Sequence, residues 1–235
     1  LTRRPDTLHA QDGGAPGRRL SAAKREAIVR GARTVFGREG FPRAGIDAIA
    51  VEAGVSTRTI YNHFRDKEQL FATVIEESSA HVGDALTALI DRHLEEVPAS
   101  GLESALIALG HDWVAVMTEC AEHFALVRQI TAEAAHLPAA LIDLWQESGP
   151  RPARAALVHR FRLLAAAGAL DAPDPARAAT HFHLLAFAEI TDRTRLGATP
   201  LPPAEISAII TAGVHTFLHG HAPTPTRPPV LGTTR

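Results

Sequence analysis

The run Ile46-Asp47-Ala48-Ile49-Ala50-Val51-Glu52-Ala53-Gly54-Val55-Ser56-Thr57-Arg58-Thr59-Ile60-Tyr61-Asn62-His63-Phe64 decides how the rest of the chain is read. Residues 46–53 make a short helix with Ile46, Ile49, Ala50 and Ala53 inward. Gly54 then supplies a sharp corner and Ser56 an N-cap for a further helix at 57–63. In a helix-turn-helix the first helix braces a second, whose N-terminal side chains enter the major groove of DNA. Val55, Ile60 and Phe64 suit an inward face, which leaves Thr57, Arg58, Thr59, Tyr61, Asn62 and His63 for the groove, with Ser56 expected beside them among the DNA-binding residues. Arg58 has the bidentate fork that matches guanine, Asn62 the amide that matches adenine, and Thr59 a methyl group for that of thymine. Phosphate contacts are expected from the Tyr61 hydroxyl, from Lys67 at the start of the next helix and from Arg43 just before residue 46.

The charge distribution agrees. Residues 18–67 carry eleven Lys/Arg against five Asp/Glu, a net of +6, whereas residues 68–235 carry a net of −8, and the whole chain sums to −2. A basic module on an acidic body is the asymmetry of a protein that presents one end to a polyanion.

Upstream, Ser21 reads as the N-cap of a helix that places Ile28, Ala32, Val35 and Phe36 on one face and stops at Gly40. Downstream, Asp66 caps a long helix carrying Leu70, Val74, Leu86, Leu89 and Ile90 toward Pro98. Six more helical segments follow, at about 102–120, 123–136, 139–148, 151–168, 174–191 and 204–219, with the firmest breaks at Gly149-Pro150-Arg151-Pro152 and Ala172-Pro173-Asp174-Pro175. The fold is expected to be all-α, with about ten helices. Residues 21–67 form a helix-turn-helix domain and 68–220 a larger helical domain. The Gly/Pro-rich 1–20 and the Pro-rich 221–235 are read as disordered tails.

Several residues in fixed register are also familiar. Ile49-Ala50, Ala53-Gly54-Val55-Ser56, Thr59-Ile60-Tyr61, His63-Phe64 and Lys67-Glu68-Gln69-Leu70, with Phe36 and Gly40-Phe41 before them, resemble the DNA-binding domain of tetracycline-repressor (TetR) family regulators over residues 21–71. Two positions depart from that family. Ala44 and Gly45 stand where Thr or Ser is common, which removes a hydroxyl from the second helix's start, and Arg58 replaces a frequent glycine. Phe124 through Glu133, Pro138, Gly149-Pro150, Gly168-Ala169-Leu170 and Asp174 through Ala179 resemble the AefR-like subgroup of C-terminal domains.

The resemblance implies a transcriptional regulator, a repressor that binds a palindromic DNA operator as a homodimer and is released by a small, largely apolar effector. It places the dimer interface on the last two helices, with His181, Phe182, Leu185, Ala186, Glu189, Ile206, Ile209, Ile210, Val214 and Phe217 as candidate surfaces. Trp113, Met117, Phe124 and Trp145 are the bulky side chains expected to line an effector pocket, with plain core packing as the competing reading.

Other classes fare worse. No apolar run reaches the roughly 18–20 residues of a membrane span, no secretory signal is visible, and Cys120 is the one cysteine, so a cytoplasmic protein is expected. Neither a glycine-rich phosphate loop nor a Gly-x-Ser-x-Gly elbow occurs, which argues against an enzyme, and no cofactor is implied. His215 and His219 have the i, i+4 spacing of zinc ligands with His221 nearby. No Glu follows His215 in the metalloprotease pattern, so no metal site is expected. The remaining alternative is a helical DNA-binding or architectural protein without sequence preference.

Overall fold

The computed structural model describes residues 16–221, and among these all regular structure is helical. The chain runs through α1 (Pro16–Glu39), α2 (Ile46–Ala53), α3 (Thr57–His63) and the 28-residue α4 (Lys67–Leu94). A 3-10 turn (Ala99–Gly101) leads to α5 (Leu102–Glu119), α6 (Ala121–Glu133), α7 (Ala139–Ser148), α8 (Pro150–Ala166), α9 (Pro175–Arg193) and α10 (Pro203–His221). Of the tails expected at 1–20 and 221–235, residues 16–20 and His221 are helical instead, opening α1 and closing α10, and the rest lie outside the described residues. Helix α1 starts five residues before the expected cap, so Ser21 sits inside the helix, and no breaker stands between Gly17 and Ser21 to prevent it. None of the described helices is long and apolar enough to cross a membrane.

Two hydrophobic clusters organise the molecule. The first joins Ile28, Ala32, Val35 and Phe36 of α1, Ile49 of α2, Ile60 of α3 and Leu70, Phe71, Val74 and Ile75 of α4, all at most 1% exposed, to Leu126 and Ile130 of α6. The second gathers α4 from Val82 to Leu94 with α5, α8, α9 and α10 around a triangle of Phe161, Phe182 and Phe217, whose ring centroids lie 5.4–5.7 Å apart. Helix α4 belongs to both. Packing divides the molecule between Ile75 and Val82, inside that helix, rather than at its start. A head and a body sharing one rod about 42 Å long are mechanically coupled through it.

The waist between the clusters is polar and tight. Ser78 Oγ lies 2.9 Å from Nδ1 of His123, a ring only 8% exposed whose pKa is pushed down to about 4, chiefly by burial, so it stays neutral. Arg33 of α1 pairs with Glu122 of α6 at 2.9 Å, fastening those two helices beside the waist. Two open cavities of about 160 and 190 Å³ flank this seam and share Arg33 and Ser78 in their walls.

Candidate nucleic-acid interface

Helix α3 is built as its sequence suggests. Gly54 adopts the left-handed conformation (φ 65°), where a side chain would be strained, and the N–H of Val55 donates to Ala50 O at 3.0 Å, closing the end of α2. Ser56 Oγ accepts from Thr59 N at 3.2 Å and lies 2.9 Å from Thr59 Oγ1, so both hydroxyls hold the first turn of α3. Ile60 and Phe64 are buried, 1% and 3% exposed, and fix the helix on the head's core. The opposite face is open: Arg58, Tyr61 and Asn62 are exposed, with Thr57, Thr59 and His63 partly so. Helix α2 starts at Gly45 with no side-chain cap, as its missing hydroxyl implies.

Most of the head's positive charge is already engaged. Arg25 pairs with Glu77, Arg38 with Glu39 and Glu52, and Arg65 with Asp66. Arg43 and Arg58 make no hydrogen bond or ion pair with the described protein, nor does the Tyr61 hydroxyl or the Asn62 amide. Lys24 of α1 is unpaired as well, and of the unengaged cations among the described residues Arg43 and Arg58 are the ones beside the helix pair, before α2 and on α3, where a polyanion would meet it. Sequence reading missed Val51, left 83% exposed on α2. The signal was its i, i+4 spacing from Asp47 on that helix's polar side.

Lys67 sits differently. Its Nζ donates to Phe41 O at 2.9 Å, Ala44 O at 3.2 Å and Pro42 O at 3.4 Å, and lies 4.7 Å from the Phe41 ring centroid. Three donors meet three carbonyls, so the ammonium clamps the start of α4 to the loop that carries Arg43. Lys67→Ala is expected to cost about 1–2 kcal/mol, the scale of a charged hydrogen-bond group lost from a partly buried site. The check is a shift in the denaturant midpoint at constant m-value, with little change in the salt dependence of DNA binding.

The four expected pocket residues do not converge. Trp113 stacks on Phe187 of α9 at 5.1 Å and, with Phe124, packs against the body cluster, whereas Trp145 packs against the head's. Met117 is buried, and none of the four lines either seam cavity. Cys120 is partly buried against the body cluster, and burial raises its thiol pKa. Among the candidate dimer surfaces, Phe182, Ala186, Ile210, Val214 and Phe217 are at most 1% exposed, committed to the protomer's own core and unavailable to a second copy. The outward side of α9 instead presents His181, Leu184 and Leu185. No group of three or more His, Cys, Asp or Glu placed to hold a metal occurs among the described residues.

Comparison with known proteins gives the fold its lineage. Residues 28–74 match the family model described as bacterial regulatory proteins, tetR family, an interval that ends where the head's cluster ends on α4. Residues 104–223, half of the chain, match the AefR-like transcriptional repressor C-terminal domain. The chain belongs to the TetR family. Its relatives are transcriptional regulators, not enzymes, and the AefR-like match takes in α6 and α7, which pack against the head's cluster, as well as α8, α9 and α10 of the body.

A TetR-family transcriptional regulator of Mesorhizobium loti superposes with a TM-score of 0.75 at 28% identity, covering 86% of this chain and 98% of that one. The flavonoid-responsive regulator FrrA reaches 0.61 at 30% identity with the same coverage. The HTH-type transcriptional repressor AcnR of Corynebacterium efficiens is 30% identical over 95 residues, 40% of this TetR-family chain and 47% of AcnR. The chain thus aligns with about half the length of that curated relative.

Proposed function

We propose that this TetR-family regulator represses transcription by binding a palindromic DNA operator as a homodimer and is released by a small, largely apolar ligand. The observation that carries the reading is the division of α3: Ile60 and Phe64 are buried while Arg58, Tyr61 and Asn62 stand exposed and unengaged. In this reading Arg58, Asn62 and Thr59 read bases. Thr57, Tyr61, His63 and Arg43 contact backbone and groove, Ser56 holds the turn that aims them, and Lys67 acts through the Arg43 loop. Dimerisation is assigned to α9 and α10, with Leu184 and Leu185 as the exposed apolar residues.

Release requires a ligand with different affinity for the DNA-bound and free states. Trp113 and Phe124, packed against the body cluster, and the buried Met117 are the residues assigned to such a ligand, which would have to part them because they line neither seam cavity, while Trp145 lies with the head's cluster. FrrA, named as flavonoid-responsive, lends support to an aromatic, mostly apolar effector. Helix α4 is the lever, because it is part of both cores.

Selection of bound fragments from random duplex DNA, followed by footprinting, tests the reading. The expected result is two inverted half-sites spaced by about 34–36 Å or a multiple, bound at least ~10³-fold more tightly than random DNA. Salt-dependent binding with no sequence preference would mark an architectural protein instead, and one asymmetric half-site bound by a monomer would remove the dimer.

A further inference from the structure

The structure separates the C-terminal histidines in a way their spacing does not suggest. His215 and His219 are adjacent on α10, with ring centroids 4.1 Å apart, but His219 Nδ1 lies 3.0 Å from His215 O and His215 Nδ1 faces Glu103 at 3.6 Å. His221 turns away from both and meets His181 of α9, forty residues earlier, with His221 Nε2 3.3 Å from His181 Nδ1.

We propose that His181 and His221 form a binding site for a divalent metal ion of the zinc, nickel or copper class. His221 is held on both sides of its residue by the loop before α9: its carbonyl accepts from Asp171 N at 2.6 Å, and its Nδ1 lies 2.9 Å from Asp171 O. A carbonyl only accepts, so Nδ1 carries the proton and Nε2 presents a lone pair toward His181. A ring N–H donating to a backbone carbonyl is the arrangement that orients metal-ligating histidines and raises their basicity. The Phe217 ring, 4.8 Å from that of His221 between centroids, supports the imidazole from below.

The spacing points the same way. Two nitrogens each bound to zinc at about 2.0–2.1 Å in tetrahedral geometry stand about 3.3–3.4 Å apart, and the observed 3.3 Å agrees. Without an ion, the same 3.3 Å lets the His181 Nδ1–H donate to His221 Nε2, so the metal would replace that proton between the two nitrogens. Within one chain His181 is exposed and His221 partly so, which leaves the remaining coordination positions open. Residues 222–235 contain no His, Cys, Asp or Glu, so that stretch supplies no such ligand. An ion held here fastens the last turn of α10 to α9 and to the Asp171 loop.

The test is zinc titration by calorimetry of the full chain, purified without a polyhistidine tag and stripped by chelator, alongside His181→Ala, His221→Ala and the double variant His215→Ala/His219→Ala. The expected result is one zinc ion per chain, with affinity lowered about tenfold or more by either of the first two changes, the scale by which even outer partners alter metal sites. The double variant is expected to bind as the parent does. Circular dichroism confirms that each variant is folded. Long-range ¹H–¹⁵N spectra are expected to show the Nδ1–H tautomer of His221, with Nε2 shifting on zinc addition. Absence of saturable binding, or binding that survives loss of His181 and His221 but fails without His215 and His219, would overturn the proposal.

Discussion

Gly213→Ala is expected to destabilise the protein by about 2–4 kcal/mol, lowering the thermal midpoint by roughly 5–15 °C for a chain of this size. A Cβ at Gly213 would lie 2.2 Å from Leu185 O, 2.6 Å from Leu185 C and 2.8 Å from Ala186 Cα. All three are backbone atoms of α9, so no rotamer change makes room and the two helices must separate. Their separation would loosen the packing of Phe182, Ile210, Val214 and Phe217, all buried in the body's core. Alanine's better helix propensity returns only about 1 kcal/mol, which is too little to offset the clash. Gly220, in the same helix, provides the control: a Cβ there meets nothing within 4 Å, so Gly220→Ala is expected to be neutral or stabilising by up to about 1 kcal/mol. Thermal melts at equal protein concentration check both. Equal effects from the two substitutions would show that helix propensity, not the α9–α10 approach, governs this site.

The contrast between those two glycines shows where sequence reading stops. The inward face of α1, the Gly54 corner and the division of α3 into buried and exposed sides follow from local periodicity and caps, and Ile28, Phe36, Ile60 and Phe64 all lie where that periodicity puts them. Close helix approach is a property of two elements at once. Nothing in the periodicity of α10 singles out Gly213, yet it is where that helix meets the backbone of Leu185 and Ala186. Likewise Gly149 reads only as a helix breaker, although its Cβ position is 2.5 Å from Ser79 O and it touches Gly83, which lets the α7–α8 corner rest on α4.

Charge and polar chemistry obey the same limit. A lysine at the start of a helix looks like a phosphate donor until the fold brings three carbonyls from residues 41, 42 and 44 to its Nζ. Trp145 looks like a partner of Trp113 until the two clusters claim one each. His221 looks like a partner of His215 and His219 until the Asp171 loop turns it toward His181. For the lysine and the histidine the partner lies more than twenty residues away, beyond the reach of any periodic pattern.

Arg58→Ala is the second large effect, and it is selective. Arg58 is exposed on α3 with no protein partner, so its removal leaves no buried charge and is expected to leave the folded state nearly as stable. Binding to the selected operator should fall by about 1–3 kcal/mol, roughly five- to 150-fold per recognition event. The loss should be confined to one base pair in each half-site, where the variant becomes indifferent to the base present. Arg43→Ala should behave differently. It is expected to weaken operator and random DNA alike and to reduce the salt slope of log affinity by about one unit, because a phosphate contact carries charge but no sequence information. Affinities for the operator, single-base variants and random duplex across a salt series separate the two. Should Arg58→Ala reduce affinity for operator and random DNA by the same factor, Arg58 would be another phosphate contact, and base recognition would fall to Asn62 and Thr59 instead.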